Sequence, residues 1–214
     1  LDFLYMMKKF LHTSVLLLAP VFVAALGSCD SRDDVVGTWQ GTATRIDDIT
    51  AAVDGSMSTT IEFAGENGKQ SDRSGKITIT ALLDANQPVS SSDSSLMQPY
   101  EVSVAATASI TGDWTYEDRD DDDIIVSLDP ESLKVRVDPD GVTFSQDILT
   151  GNERPVLDSL TAATAAVWTR SLTAAMRVEF AKYQKISDVK VKKNILSCEI
   201  DDRDYSFRRV GAQQ

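Results

Sequence analysis

The chain has 214 residues, of which 33 are acidic and 21 are basic, so its formal net charge at pH 7 is −12. Because phosphate backbones and anionic lipid headgroups repel a protein of this charge, the composition argues against nucleic-acid binding and against purely electrostatic membrane docking. The length and the hydrophobic fraction of 42% are compatible with one domain that has its own core.

The first feature in chain order is an apolar segment near the amino terminus. Two lysines precede an apolar run over about residues 15–26, and the small residues of Leu26-Gly27-Ser28-Cys29 follow it. This order is typical of a secretory signal peptide, and the run is shorter than the roughly 20 residues that a membrane span needs. Residues 1–6 do not fit the pattern. We therefore expect the signal peptide to start at Met7 and residues 1–28 to be removed.

The ending Leu26-Gly27-Ser28-Cys29 resembles the lipobox of bacterial lipoproteins. The resemblance implies that Cys29 becomes the first mature residue and carries the lipid, and two or more acyl chains make a stable anchor. The acidic tether at 29–34 resembles the surface-export signal of Bacteroidetes lipoproteins, whereas in enterobacteria an Asp after the cysteine retains the protein at the inner membrane. We expect an outer-membrane, lipid-anchored protein that faces either the periplasm or the cell surface.

From Val35 onwards, short runs of alternating apolar residues predict a single β domain over 35–214. Turn signals at 65–68, 129–130, 138–141 and 201–204 separate the runs, and 86–98 has the character of a Ser-rich loop. This spacing predicts an antiparallel barrel or sandwich of about ten strands. The expected strands lie at 36–42, 58–63, 76–82, 100–108, 111–117, 124–128, 133–137, 142–144, 189–192, 195–200 and 205–210.

The alternation is interrupted once, where 154–185 contains no Gly and a single Pro near its start. The pattern predicts one long amphipathic helix over about 155–183, of about seven to eight turns. Two positions for it stay open: packed on the outside of the sheet, or across the barrel mouth as a lid over a pocket. Its stronger apolar stripe consists of Trp168, Leu172, Met176, Phe180 and Tyr183, and its weaker stripe of Leu157, Leu160, Thr164, Val167 and Ser171.

The motif Gly37-Thr38-Trp39 resembles the opening Gly-x-Trp of lipocalins, in which the tryptophan closes one end of an up-and-down barrel. A second Gly-x-Trp occurs at Gly112-Asp113-Trp114. With the lipobox and the acidic tether, the chain resembles the lipocalin-like lipoproteins common in Bacteroidetes, although its helix precedes about three strands. The alternative is another β fold with two unrelated tryptophans. The residues expected to contact a ligand are Trp39, Trp114, Trp168, Leu172, Met176 and Phe180.

The sequence offers little support for catalysis. The only histidine, His12, lies in the expected signal peptide, so the mature chain has no histidine for nucleophilic triads or zinc sites. The acidic run at 118–123 lacks the glycine and the spacing of a calcium loop, which favours a solvated hairpin tip. Cys198 alternates with Leu196 and Ile200, which predicts a buried structural thiol. We expect a non-enzyme without cofactor or metal.

Two functions from different classes follow. The first is a lipid-anchored, lipocalin-like module that binds a small or apolar ligand at the cell envelope. The alternative is a protein-interaction module, such as an envelope assembly factor, an inhibitor or an adhesin subunit, with a packed interior and no ligand. A hydrolase with two acidic catalytic residues is a distant third. The volume of the interior cavity distinguishes the first two.

Overall fold

The computed structural model describes residues 35–45, 54–69, 72–89, 100–117, 122–145 and 154–211. The expected signal peptide, Cys29 and the tether lie outside these residues, as does most of the acidic run at 118–123. No helix among the described residues has the length and apolar character that a membrane span requires.

The described residues form ten strands and one α-helix, and two short 3-10 turns at Pro130–Ser132 and Lys182–Gln184 join neighbouring elements. In chain order the elements are β1 (Gly37–Gly41), β2 (Thr44–Arg45), β3 (Asp54–Gly65), β4 (Ser74–Val89), β5 (Tyr100–Tyr116), β6 (Ile124–Leu128), β7 (Lys134–Phe144), α1 (Arg154–Ala181), β8 (Lys185–Lys192), β9 (Ile195–Ile200) and β10 (Arg203–Arg209).

Eight of the strands close into an antiparallel barrel. The hydrogen-bonded order is β1-β10-β9-β8-β6-β5-β4-β3, and β3 pairs again with β1 to complete the ring. Strand β2 is added to β3, and β7 is added to β5. This architecture confirms the prediction of a mainly β, lipocalin-like antiparallel barrel of about ten strands with one long helix.

The longest strands run past the ring of eight. The last part of β5 pairs with β6, whereas its residues 102–109 pair with β7 instead. Likewise, the last part of β3 pairs with β1 and its residues 56–57 pair with β2. Strands β2, β3, β4, β5 and β7 therefore form a sheet extension at one end of the barrel.

The inner face of the barrel and of its extension is apolar, because residues that alternate along each strand are buried there. In β4 these are Ile77, Ile79, Ala81, Leu83 and Ala85, while Leu82 on the outer face is 52% exposed. In β5 every second residue from Val102 to Tyr116 is buried in the same way. One continuous core therefore fills the barrel and continues under the extension.

Helix α1 covers the inner face of this extension. It packs mainly on β7 and also on β5, and the valines Val137 and Val142 of β7 that share this face are buried. The outward residues of β7, such as Arg136, are exposed. Because α1 packs on the buried face of β7 and β5, the expectation that the helix packs outside the sheet is wrong. Its boundaries agree with the predicted 155–183.

Three sequence-based strand boundaries are wrong for one reason, which is the presence of a long partner strand. The runs at 100–108 and 111–117 form the single strand β5 because β4 pairs with it along its whole length. The runs at 133–137 and 142–144 both pair with β5, so the residues between them form a bulge opposite Ala105 and not a hairpin turn. Strand β4 continues to Val89, into the start of the expected Ser-rich loop.

Candidate functional site

Trp39 joins the first described residues to the last strand. Its side chain is fully buried, and its indole Nε1 donates a hydrogen bond to the carbonyl oxygen of Val35 over 2.6 Å. The guanidinium of Arg209 lies over the indole, 4.3 Å from the ring centroid, and its Nη1 donates to the carbonyl oxygen of Val36 over 3.1 Å. The chain is therefore fixed to the barrel at the first residue after the expected tether.

The surroundings of each Gly-x-Trp motif explain why its first residue is a glycine. Gly37 has a φ of 141°, which side-chain-bearing residues rarely adopt, and a Cβ there would lie 3.0 Å from Nη1 of Arg209. At Gly112 a Cβ would collide with the carbonyl oxygen of Ser127 on the neighbouring strand β6. The first glycine thus leaves room for the guanidinium of Arg209, and the second allows β5 and β6 to approach closely.

Trp114 is also buried, with 1% of its surface exposed. Its indole Nε1 donates to the carbonyl oxygen of Ala64 over 3.1 Å, and its ring meets those of Phe63 and Tyr116 edge-on. Trp39 pairs with Ile61 of the same strand β3. The tryptophans of both Gly-x-Trp motifs are therefore buried at the same end of the barrel, beside the last residues of β3.

The four predicted residues of the helix stripe lie together on one face of α1. The exposed fractions are 7% for Trp168, 3% for Leu172, 0% for Met176 and 1% for Phe180. All four belong to the core that continues from the barrel. The structure thus brings these four together and places Trp39 and Trp114 among the strands. None of the six lines either of the two cavities described below.

The first cavity lies at a gap in the barrel wall. Strand β1 pairs with β10 only as far as Gly41, opposite Phe207, and the chain then turns to β2, which pairs with β3. Among the described residues, no strand pairs with 204–206 of β10 on the side away from β9. A cavity of about 140 Å³ fills this gap, between β1, β2, β3, β10 and the end of α1.

The lining of this cavity is mixed in character. Thr42, Thr44, Thr59 and Ser206 supply hydroxyl groups, and the aromatic and apolar walls include Met57, Tyr183, Tyr205 and Phe207. Of the described residues, two acidic ones, Glu179 and Asp204, line it, and no described Lys or Arg does. Burial raises the pKa of the Tyr183 hydroxyl above its ordinary value, against the opposing effect of its hydrogen bond with Thr59.

Glu179 is the better-buried carboxylate of the two. Its side chain is 14% exposed and accepts a hydrogen bond from Lys182 Nζ over 2.6 Å, whereas Asp204 is exposed. This pair is not a buried pair of carboxylates converging in a cleft, which the hydrolase hypothesis requires. Within the residues that the structure describes, no group of three or more acidic or cysteine side chains is placed to hold a metal ion.

A second, more open groove of about 500 Å³ lies on the outer face of β1 and β10. It is lined by residues that include Gln40, Ile195 and Arg208, and it shares Gly41 and Phe207 with the first cavity. The two cavities therefore meet at the place where β1 leaves β10.

Sequence reasoning did not identify the residues around the gap as a site. The sequence places Tyr183 in the apolar stripe of the helix and Asp204 in the hairpin tip that the turn signal at 201–204 predicts, and it indicates no role for Glu179. The hairpin tip itself is confirmed, since Asp201 and Asp202 form the turn between β9 and β10 with positive φ values. No local pattern marks the gap, because it arises from the separation of two strands that are distant in sequence.

In comparisons with known proteins, no family model matches the chain and no curated protein is significantly similar to it. The barrel fold agrees with the lipocalin resemblance in architecture. The remaining implications of that resemblance stay predictions, and the functional argument rests on the residues described above.

Proposed function

We propose that this protein is a lipid-anchored module of the cell envelope that works by contact with another molecule at its surface, with a barrel filled by its own side chains. The observation that carries the proposal is the packing of the interior. The six side chains expected to contact an apolar ligand are between 0% and 7% exposed and form part of one core. The cavity at the gap is about 140 Å³, whereas small-molecule pockets usually measure about 300–1,000 Å³.

The packing also sets the free-energy cost of admitting an apolar ligand to the barrel. Trp39, Trp114, Phe63, Phe180 and Phe207 are among the largest fully or almost fully buried side chains. Removing the contacts of one buried aromatic side chain typically costs about 3–5 kcal/mol of the free energy of unfolding. A ligand inside the ring would have to displace several of them, which supports a filled barrel.

The envelope location rests on the sequence at 7–34 and is supported by where the barrel begins. The side chain of Trp39 binds the carbonyl of Val35, so only the short tether at 29–34 separates the expected lipid on Cys29 from the folded domain. Cys29→Ala is expected to abolish palmitate labelling and membrane partitioning. Labelling and detergent partitioning that persist in this variant would contradict the proposal.

A second candidate, binding of an apolar ligand beneath α1, is favoured by the position of that helix. Helix α1 lies on the inner face of the sheet extension and is held there by side-chain packing. Moving it outward would uncover an apolar trough that includes Leu83, Val104 and Val137. This function requires a lid, and the side chains of Trp168, Met176 and Phe180 would then form one wall of the pocket.

Two measurements separate the candidates. The mature chain is titrated with the fluorescent fatty acid cis-parinaric acid, and the protein purified from its own host is analysed by native mass spectrometry. We expect no saturable fluorescence and a mass that corresponds to a protein complex. Saturable binding of the fatty acid, together with an added small-molecule mass and no protein partner, would replace the first proposal by the second.

A further inference from the structure

Helix α1 has a second apolar face, which points away from the sheet and is exposed. Its members are three larger residues, Leu160, Val167 and Val178, and three alanines, Ala163, Ala174 and Ala181. The three larger side chains are 36%, 52% and 68% exposed, and the alanines are exposed as well. At 3.6 residues per turn, all six positions lie within an arc of about 60°. They form one continuous strip along the helix, which we call the outer seam.

The outer seam lies in a part of the chain that has no acidic residues. Residues 159–178 contain neither Asp nor Glu, although the whole chain has 33 acidic side chains. The charged residues beside the seam are Arg170 and Arg177, and both are exposed. A helix that packs on one side only normally carries polar residues on the opposite side. An apolar strip there is typical of a helix that has a second partner.

The outer seam has the same spacing when it is read in either direction. From Leu160 to Ala181 its steps are 3, 4, 7, 4 and 3 residues. The side-chain sizes are mirrored too, because each larger residue has an alanine at the position related to it by a centre between 170 and 171. The pairs are Leu160 with Ala181, Val178 with Ala163, and Val167 with Ala174. A large side chain opposite a small one is what allows two helix surfaces to interdigitate.

We propose that α1 packs antiparallel against α1 of a second copy of this chain through the outer seam, about a two-fold axis beside Arg170 and Ser171. A two-fold interface requires a surface that is complementary to itself, and the mirrored spacing and sizes provide one. Val167 of one copy then lies against Ala174 of the other. The inference goes beyond the proposed function, since neither the filled barrel nor the lipid anchor depends on it.

The side chains of the outer seam favour a second helix over a lipid surface. Helices that lie in a membrane interface bury large side chains such as Trp, Phe and Leu. The seam has one leucine and otherwise only valines and alanines, whose small size allows two helices to approach closely. An unrelated acidic helix would suit Arg170 and Arg177, but it would not require the mirrored arrangement that the seam has.

The size and charge of this interface predict a weak dimer. The seam is about 33 Å long at 1.5 Å per residue, so the two copies would bury on the order of 1,000 Å² in total, which is at the low end for specific interfaces. Each copy also has a net charge of −12, and the two Arg170 side chains come near the axis on the same side of the seam. Both effects are repulsive, so added salt should tighten the dimer.

Analytical ultracentrifugation of residues 29–214 with Cys29→Ala tests the dimer without a lipid or a second free thiol. We expect a Kd on the order of 10–100 μM in about 0.15 M NaCl, and a Kd at least about twofold lower in about 0.5 M NaCl. Weaker association at the higher salt concentration would contradict the seam, because it would indicate arginines bound to an acidic surface of the other copy.

A chain that remains monomeric at about 500 μM would overturn the proposal, because that concentration lies well above the expected Kd. Native mass spectrometry and vesicle binding would then identify the occupant of the seam. Loss of a complex with a different protein in Val167→Glu would assign the seam to that protein. Loss of binding to vesicles of phosphatidylcholine and phosphatidylserine in the same variant would assign it to a lipid surface.

A charge placed in the seam tests whether it is the interface. Val167→Glu is expected to weaken dimerisation by at least about tenfold, since each dimer would bury two unpaired carboxylates. Leu82→Glu is the matched control, because it makes the same change in charge at a residue with the same 52% exposure on the outer face of β4. It should leave the Kd nearly unchanged. An equal loss in the two variants would contradict the assignment.

Exchanging the sizes of two side chains tests the mirrored pairing. Val167→Ala is expected to weaken dimerisation by about three- to tenfold, because each dimer loses two larger side chains from its contact. Adding Ala174→Val should restore the affinity, since a large residue again faces a small one. The control adds Ala166→Val instead, which is exposed on the same helix but outside the seam. Equal restoration by Ala166→Val would overturn the proposal.

Cross-linking tests the direction of the two helices. In the antiparallel pair the two copies of residue 171 lie beside the axis, whereas the two copies of residue 163 are about 22 Å apart along the helices. A bismaleimide that spans about 8 Å, close to the distance between packed helices, should therefore link Ser171→Cys but not Ala163→Cys. Cys198 is buried and should not react. Equal cross-linking of the two variants would indicate a parallel pair and overturn the proposal.

Discussion

The two ends of this barrel are closed by different means. At the end that contains Trp39 and Trp114, β1 pairs with both β10 and β3, so backbone hydrogen bonds close the ring. At the other end β3, β4 and β5 run past the ring, and α1 packs its buried side chains on their inner face. The first end cannot open without loss of ladder hydrogen bonds, whereas the second can repack while every strand keeps its partners.

The cavity at the gap between β1 and β10 lies where these two kinds of closure meet. Strand β10 contributes Asp204, and the end of α1 contributes Glu179 and the adjoining Tyr183. A substitution at either end of the barrel can therefore be compared with its effect on the residues that line this cavity. The predictions below test this contrast from the largest expected effect to the smallest.

The largest effect is expected for Trp39→Ala, at the end of the barrel where β1 pairs with both β10 and β3. It removes a fully buried indole, its stacking with Arg209 and the donor to the carbonyl of Val35. The free energy of unfolding should fall by about 3–5 kcal/mol, measured by urea denaturation. The exposed Leu82→Ala is the control and should change it by less than about 0.5 kcal/mol. A cost for Trp39→Ala below about 1 kcal/mol would contradict this account of the closure.

Met176→Ala tests the packing at the other end of the barrel, where α1 covers the sheet extension. Met176 is fully buried on the face of α1 that packs on the sheet, so its truncation should lower the free energy of unfolding by about 2–5 kcal/mol. It should not change the response to cis-parinaric acid if the helix is a fixed cover. Val178→Ala, on the exposed side of the same helix, is the control and should be nearly neutral. A stable Met176→Ala variant with altered fatty-acid affinity would instead support a lid.

Alkaline pH is expected to destabilise the domain. Burial raises the pKa of the Cys198 thiol to about 12, from an unperturbed value of 9.0, and it also raises the pKa of Tyr183. Both groups are neutral when protonated and lose their protons more easily in the unfolded chain. Their contribution is therefore complete below about pH 9 and is lost as the pH rises above it, at up to about 1.4 kcal/mol per pH unit for each group.

Urea denaturation at pH 8 and pH 10.5 measures this loss of stability. Cys198→Ala and Tyr183→Phe should each reduce the difference between the two pH values. Leu82→Ala, an exposed change that removes no titratable group, is the control. The same pH dependence in Cys198→Ala as in the parent protein would contradict the assignment.

The smallest effect is expected at the seam between β6 and β8. Only Ile124 and Ile125 of β6 pair with β8, and Lys185 Nζ lies 2.6 Å from a carboxylate oxygen of Asp123 beside them. This ion pair raises the pKa of the half-exposed Lys185. Lys185→Gln should lower the melting temperature slightly, and the difference should become smaller in 1 M NaCl without vanishing, because Lys185 is half-exposed while Asp123 is buried and salt screens such a pair only in part. A shift that 1 M NaCl leaves unchanged would indicate a packing role instead.

Much of the secondary structure follows from the sequence alone. The alternation through Ile77, Ile79 and Ala81 identified a strand and its buried face, and the alternation around Cys198 predicted a buried thiol that is 4% exposed. The apolar stripe of α1 predicted both the length of the helix and the face that it buries. These features depend on residues close in sequence, so side-chain period and backbone propensity are sufficient to predict them.

Only the tertiary structure decided which strands are continuous, where the helix packs and where the wall opens. Periodicity shows that a face is apolar but not what covers it, so α1 could be assigned to the outside of the sheet as readily as to its inner face. The residues at 138–141 have the composition of a turn, yet β5 holds both flanking segments in one strand. Thr59, Glu179 and Asp204 are far apart in the chain, and closure of the barrel is what brings them to one cavity.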